Sequence, residues 1–153
     1  MTKQDSSNPL EAHLGYWLRF VSNHVSHAFS LKLAARDVTV AEWVVLRELY
    51  DRASAVPSEL AARLGMTRGA ISKLTDRLEA KKLAARTSRK DDKRYQALAL
   101  TDAGRALVPA LSALADRNDA EFFGHLKAAE RASIERVLKG IVRRHELRGV
   151  PVE

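Results

Sequence analysis

The sequence predicts a mainly helical α+β chain with one small β-hairpin. Three observations lead there. Apolar residues recur at three- and four-residue spacing in successive segments, several of them opened by a capping or proline signal. Between Leu83 and Leu100 that spacing lapses, and two short runs suited to strands flank a charged stretch. Positive charge also gathers at this place. Leu60 to Tyr95 holds 11 basic and 4 acidic residues, an excess equal to the net charge of +7 carried by all 153 residues.

The elements follow in order. Residues 1–9 are polar, end in Asn8-Pro9 and read as a disordered lead. From 10 to 33 the stripe Leu10, Leu14, Trp17, Val21, Val25 and Ala28 predicts a long helix that buries one side, with a break at Arg36-Asp37-Val38. Thr39 to Glu42 is a capping box, in which the threonine caps the helix and the glutamate reaches back. The helix it opens carries Val40, Trp43, Val44, Leu46 and Leu49. Pro57 suits the first position of a short helix to Leu64, because its missing N–H has no intrahelical partner to lose. Gly65 can supply the left-handed turn that ends it. Thr67 caps a further helix, expected to run to about Lys82, with Ile71, Leu74 and Leu78 inward. Ala85–Thr87 and Tyr95–Leu100 read as strands, with Ser88 to Arg94 as the polar connection. Thr101 caps a helix to about Leu126, and a last helix covers about Ala128 to Leu147.

A hydrophobic content of 46% can build a core, and 29% charged residues predict a well-hydrated surface. There is no apolar run long enough to span a bilayer, no secretory leader pattern and no cysteine. These readings favour the cytoplasm and exclude disulfides and thiolate metal sites. No G-x-S-x-G elbow and no glycine-rich phosphate loop occurs, so an enzyme has little support and no cofactor is implied. His24 and His27 stand three apart on one helix, but no further ligand accompanies them and no metal site is assigned.

Two helices joined by a glycine turn, with the second capped, make a helix-turn-helix; the hairpin that follows makes it winged. The second helix of such a unit enters the major groove, which admits one helix. At 100° per residue, Gly69, Ser72, Lys73 and Asp76 lie opposite the buried side, flanked by Arg68 and Arg77. Thr67 and Arg68 occupy the first turn, where free N–H groups favour a phosphate. Small residues here allow close approach to base edges. Asp76 is unfavourable toward phosphate, so it either orients Lys73 or accepts from a cytosine amine. The hairpin tip, Arg89 to Arg94, carries four cations, among them Lys90, Lys93 and Arg94, and two acids. Such a tip can reach an adjacent minor groove, whose negative potential attracts arginine. Asp92 stands two before Arg94 on a strand and can steer it.

At this point the chain resembles the MarR family of winged-helix transcriptional regulators. The resemblance rests on ELAARLG (59–65), on the T-x-x-x-I-S-K-L-T-D-R-L-E run (67–79), and on D-x-R (92–94) leading into L-x-L-T (98–101). It implies a homodimer framed by helices in 10–36 and 102–147, a DNA-binding lobe over 39–101, and a tail from 148 to 153. It also implies a repressor of a roughly palindromic operator in double-stranded DNA. Thr67, Arg68, Ser72, Lys73 and Arg77 match the family's recognition-helix positions, and Arg94 matches its wing-tip arginine. Two departures stand out. Lys82 replaces the glycine common at the end of the recognition helix, so that turn is expected to be made differently. Lys127 precedes the last helix where a capping serine, threonine or aspartate is common, so a less sharp start is expected there.

Tyr16, Trp17, Phe20 and Trp43 form an aromatic group with two readings. They pack a dimer core, or they line a pocket for a small aromatic or phenolic anion, with Arg19 or Arg47 pairing its carboxylate. The rival for the whole chain is a winged-helix module for protein interaction or architecture, without sequence-specific DNA binding. The charged face argues against it.

Overall fold

The structure, a computed structural model, describes residues 8–89 and 92–148, with the backbone alone at 89 and 92–95. A 3-10 turn, Leu10–Ala12, precedes α1 (Leu14–Ala34), α2 (Val40–Tyr50), α3 (Pro57–Leu64) and α4 (Arg68–Ala80). Strands β1 (Ala84–Arg89) and β2 (Asp92–Leu100) follow, then α5 (Asp102–Phe123) and α6 (Ala128–Arg144). The predicted lead falls almost wholly, and the tail beyond Arg148, outside the described residues. No helix among the described residues is long and apolar enough to cross a membrane.

Local chemistry sets the element ends. At α2, Thr39 Oγ1 accepts from Glu42 N–H at 3.1 Å and Glu42 Oε1 accepts from Thr39 N–H at 3.0 Å, the reciprocal box read from the sequence. Gly65 takes φ 64° and ends α3. Lys82 also takes a left-handed φ, 58°. Leu83 N–H donates to Leu78 O and Lys82 N–H to Glu79 O, both at 2.9 Å, the two bonds of a Schellman turn. The expectation of a different turn at Lys82 is therefore corrected. The carbonyls at the end of α4 demand the same partners whatever the side chain, and lysine adopts the conformation glycine would take more cheaply. At α6 half of a capping box forms, because Glu130 Oε1 accepts from Lys127 N–H at 3.0 Å. A threonine or serine at 127 would add the other half.

The hairpin is longer than expected. Ala84 pairs with Leu100, Arg86 with Leu98 and Arg89 with Asp92, and the register slips between Ser88 and Arg89. Pairing extends into the charged stretch because a two-stranded ribbon satisfies its backbone groups whatever the side chains. Leu98 also exchanges hydrogen bonds with Ala55, at 2.9 and 2.8 Å, which ties the α2–α3 loop to the wing.

One core joins Leu33 of α1, Leu46 and Leu49 of α2, Leu60 of α3, Ile71 and Leu78 of α4, Leu98 of β2, and Val108 and Leu111 of α5, each almost fully buried. The α1 stripe behaves differently from its expectation. Only its C-terminal end joins this core, whereas Leu14 (82% exposed), Trp17, Leu18 and Val21 face outward. The helix breaks at His13, between the 3-10 turn and α1. Helix α6 buries no residue at all, and Ile134, Val137, Leu138, Ile141 and Val142 stay exposed.

Candidate nucleic-acid interface

The interface candidate is built on α3, the turn at Gly65 and α4. Thr67 is extended and its Oγ1 accepts from Ala70 N–H at 3.1 Å, which starts α4 at Arg68. Ile71, Leu74 and Leu78 face the core. Thr75 is buried beside them and satisfies its hydroxyl on Ile71 O at 2.8 Å. That anchoring leaves Thr67, Arg68, Gly69, Ser72, Lys73, Asp76 and Arg77 exposed together. A side chain at Gly69 would meet nothing closer than Thr67 Oγ1 at 4.0 Å, so the protein's own packing does not require glycine there.

Ion pairs sort the basic excess into two groups. Arg63 pairs with Glu48, Lys81 with Glu42, and Arg86 with Asp76 and Glu79. These cations hold elements together. Arg68, Lys73, Arg77 and Lys82 enter no ion pair among the described residues and give the outer face of α4 its field. Asp76 does not orient Lys73, contrary to one expectation. Its Oδ1 accepts from Arg86 Nη2 at 2.9 Å, because β1 brings a guanidinium to that side of the helix. Lys90 lies outside the described residues. Asp92, Lys93 and Arg94 lie on β2, which leads away from the tip.

The far end of α4 is locked by a buried carboxylate. Glu42 is 1% exposed, and Lys81 Nζ lies 3.1 Å from its Oε1 and 3.0 Å from its Oε2. Lys81 also donates to Asp37 O at 2.6 Å. Burial alone would raise the Glu42 pKa, but the bonds from Lys81 and Thr39 outweigh it and hold the carboxyl below its ordinary value. The sequence showed Glu42 only as a capping residue; its partner lies 39 residues away, so no local pattern could reveal the second role.

The aromatic group does not assemble as one site. Tyr16, Trp17 and Phe20 cluster on α1, with centroids 5.2 to 6.4 Å apart, and Phe20 continues to His24 at 4.9 Å. Trp43 instead packs edge-on against Phe29 at 6.3 Å, about 13 Å further along the helix from Phe20. Arg47 pairs with Asp51 at 2.8 Å and lies over the Tyr50 ring. Trp43 and Arg47 therefore stand apart from the α1 aromatic cluster within the chain.

A capped recognition helix with an outward basic face, backed by a core and followed by a hairpin, defines a winged helix-turn-helix protein. Residues 36–94 match the MarR family profile. Multiple antibiotic resistance protein MarR of Escherichia coli is 28% identical over 130 residues, 84% of this chain and 90% of that one. A mutant of it complexed with operator DNA superposes with a TM-score of 0.77 at 27% identity, covering 89% of this chain and 99% of that one. BpsR of Bordetella bronchiseptica, whose DNA binding is regulated by 6-hydroxynicotinic acid, gives a TM-score of 0.78 at 26% identity, covering 89% and 98%. The regulator TtmR of Methylorubrum extorquens is 27% identical over 106 residues, 69% of this chain, and the match spans 54% of that protein. The family match covers residues 36–94, and the fold around it is that of the MarR-family regulators the chain resembles.

Proposed function

We propose that this protein is a sequence-specific DNA-binding regulator, a homodimeric repressor of a palindromic operator that a small aromatic acid releases. The observation that carries the DNA-binding part is the outer face of α4. Small residues, Gly69 and Ser72, sit among Arg68, Lys73 and Arg77, cations with no ion pair among the described residues, on a helix whose other side is core. In this reading Arg68 and Lys73 donate to guanine O6 and N7, and Arg94 enters the adjacent minor groove. Lys90 and Lys93 meet phosphate.

The dimer reading rests on the apolar faces left open by α1 and α6. They enclose a groove of about 750 Å³ lined by Leu14, Trp17, Val21, Phe122, Ile134 and Leu138. Contiguous apolar surface of this kind marks an interface. A second copy covering it would set two recognition helices about 34 Å apart, one turn of DNA. A ligand acts by preferring another spacing of the two lobes, and it weakens DNA binding only by its differential affinity for the two states. The regulation of BpsR by an aromatic acid supports that part. Within the predicted ligand set, Trp17 lines this groove and Tyr16 and Phe20 pack against its ring, while Trp43 and Arg47 have other partners.

Selection of bound duplex from a random pool tests the whole reading. Recovery of a palindrome, with affinity falling steeply as salt rises, is the expected result. No preference for any duplex would favour the protein-interaction module instead. Salicylate-like compounds titrated against tryptophan fluorescence test the ligand; no quench and no change in DNA affinity would remove it.

A further inference from the structure

We propose that Arg86 on β1 is a positioning residue for DNA binding. It clamps the wing to the recognition helix through Asp76 and Glu79 and offsets part of the negative charge they bring to that helix. The proposal rests on the DNA-binding reading of α4 given above.

Three observations carry it. Arg86 bridges two carboxylates one helical turn apart on α4. Its Nη2 lies 2.9 Å from Asp76 Oδ1, and its Nη1 lies 3.1 Å from Glu79 Oε1. Next, the two acids stand in different surroundings. The Asp76 side chain is 66% exposed on the same face as Arg68, Lys73 and Arg77 and accepts a hydrogen bond from Arg86, whereas Glu79 Oε1 is shut off from solvent, accepts no hydrogen bond and meets Arg86 by charge alone. Without Arg86 the face would hold one unmatched acid, Asp76, among its cations, and one Glu79 oxygen would be buried beside no cation. Finally, Arg86 sits at the best-anchored register position of the hairpin. It stands opposite Leu98, which is fully buried and bonded through its backbone to Ala55. A guanidinium fixed there transmits the position of α4 to the strands that carry the tip.

The size of the electrostatic part follows from distance. A carboxylate about 7 Å from a phosphate, in surroundings close to water, weakens binding about threefold. Removing the single guanidinium charge therefore costs about threefold through the field alone, and loss of the clamp adds to it. The pairs are partly exposed, so their contribution to folding is small and Arg86→Ala should remain folded.

The experiment compares four full-length proteins on a selected duplex: unmodified, Arg86→Ala, the pair Asp76→Asn with Glu79→Gln, and all three changes together. Arg86→Ala is expected to bind about tenfold more weakly at low salt, with the loss shrinking as salt screens the exposed acids. In the background lacking both acids there is nothing left to clamp, so removing Arg86 should cost only the about threefold of its own charge. Equal losses in the two backgrounds would mean that Arg86 acts only through its own charge and not through the two acids, and would overturn the proposal. So would Arg86→Ala binding as well as the unmodified protein. Hydrogen exchange without DNA reads the clamp separately: the amides of 84–88 should exchange faster in Arg86→Ala, and unchanged protection would overturn it. An unmodified protein that holds no duplex would overturn the DNA-binding reading, and the proposal with it, whatever the exchange data show.

Discussion

Glu42→Ala should be among the most destabilising single changes in the DNA-binding half of the chain. The carboxylate is 1% exposed and serves two partners, the Thr39 N–H at the start of α2 and the Lys81 ammonium at the end of α4. Breaking a buried pair from one side costs about 3 to 5 kcal/mol, because the remaining charge is stranded. Here the Lys81 side chain keeps 28% of its surface and still has Asp37 O at 2.6 Å, which places the loss near the lower limit. Losing the reciprocal half of the capping box adds under 1 kcal/mol. Urea unfolding at neutral pH should therefore show a loss of about 3 kcal/mol with an unchanged slope. The pH dependence has a definite sign. The folded-state pKa of Glu42 is depressed, so its stabilisation is complete above the ordinary value of 4.5 and fades as pH falls through the folded-state value. The gap between the unmodified protein and Glu42→Ala should narrow with acidification below that point. A loss under 1 kcal/mol at neutral pH, or a gap that widens in acid, would refute the reasoning.

Three further outcomes are expected. Arg94→Ala should weaken operator binding by about 1 to 3 kcal/mol if the arginine reads a narrow minor groove, and Arg68→Ala should relax base preference, whereas Lys90→Ala should weaken all sequences alike; anisotropy on operator and scrambled duplexes separates these. Gly69→Ala should raise the melting point slightly, by about 0.5 kcal/mol of helix propensity, because the added methyl has room, while lowering operator affinity if DNA needs the close approach. Leu138→Glu, in the open α1–α6 groove, should give a monomer by sedimentation and cost at least tenfold in operator affinity; a dimer of full affinity would place the interface elsewhere.

Helix ends were well marked in the sequence, because capping is local. Thr39, Thr67 and Thr101 each cap through bonds that reach only three residues on, and Pro57 and Gly65 bound α3 by backbone preference alone. The inward side of α4 was legible for the same reason: 100° per residue is a property of the helix, and Ile71, Leu74 and Leu78 are buried. Strand limits were less legible, since alanines and charged residues carry weak preferences and pairing with a neighbour decides how far a ribbon extends.

Sequence by itself determined the order of elements, the turn chemistry and the side of the recognition helix left facing outward. All of these depend on residues within a few positions of one another. Only the tertiary structure decided which cations are held inside the protein and which remain available. Lys81 is drawn to Glu42 across 39 residues and Arg86 to Asp76 across 10, distances along the chain at which no periodicity operates. It also decided that the stripe on α1 finishes in the core at one end and stays uncovered at the other. An apolar residue declares in sequence that it needs a partner; only packing in three dimensions shows which partner, and whether this chain supplies it.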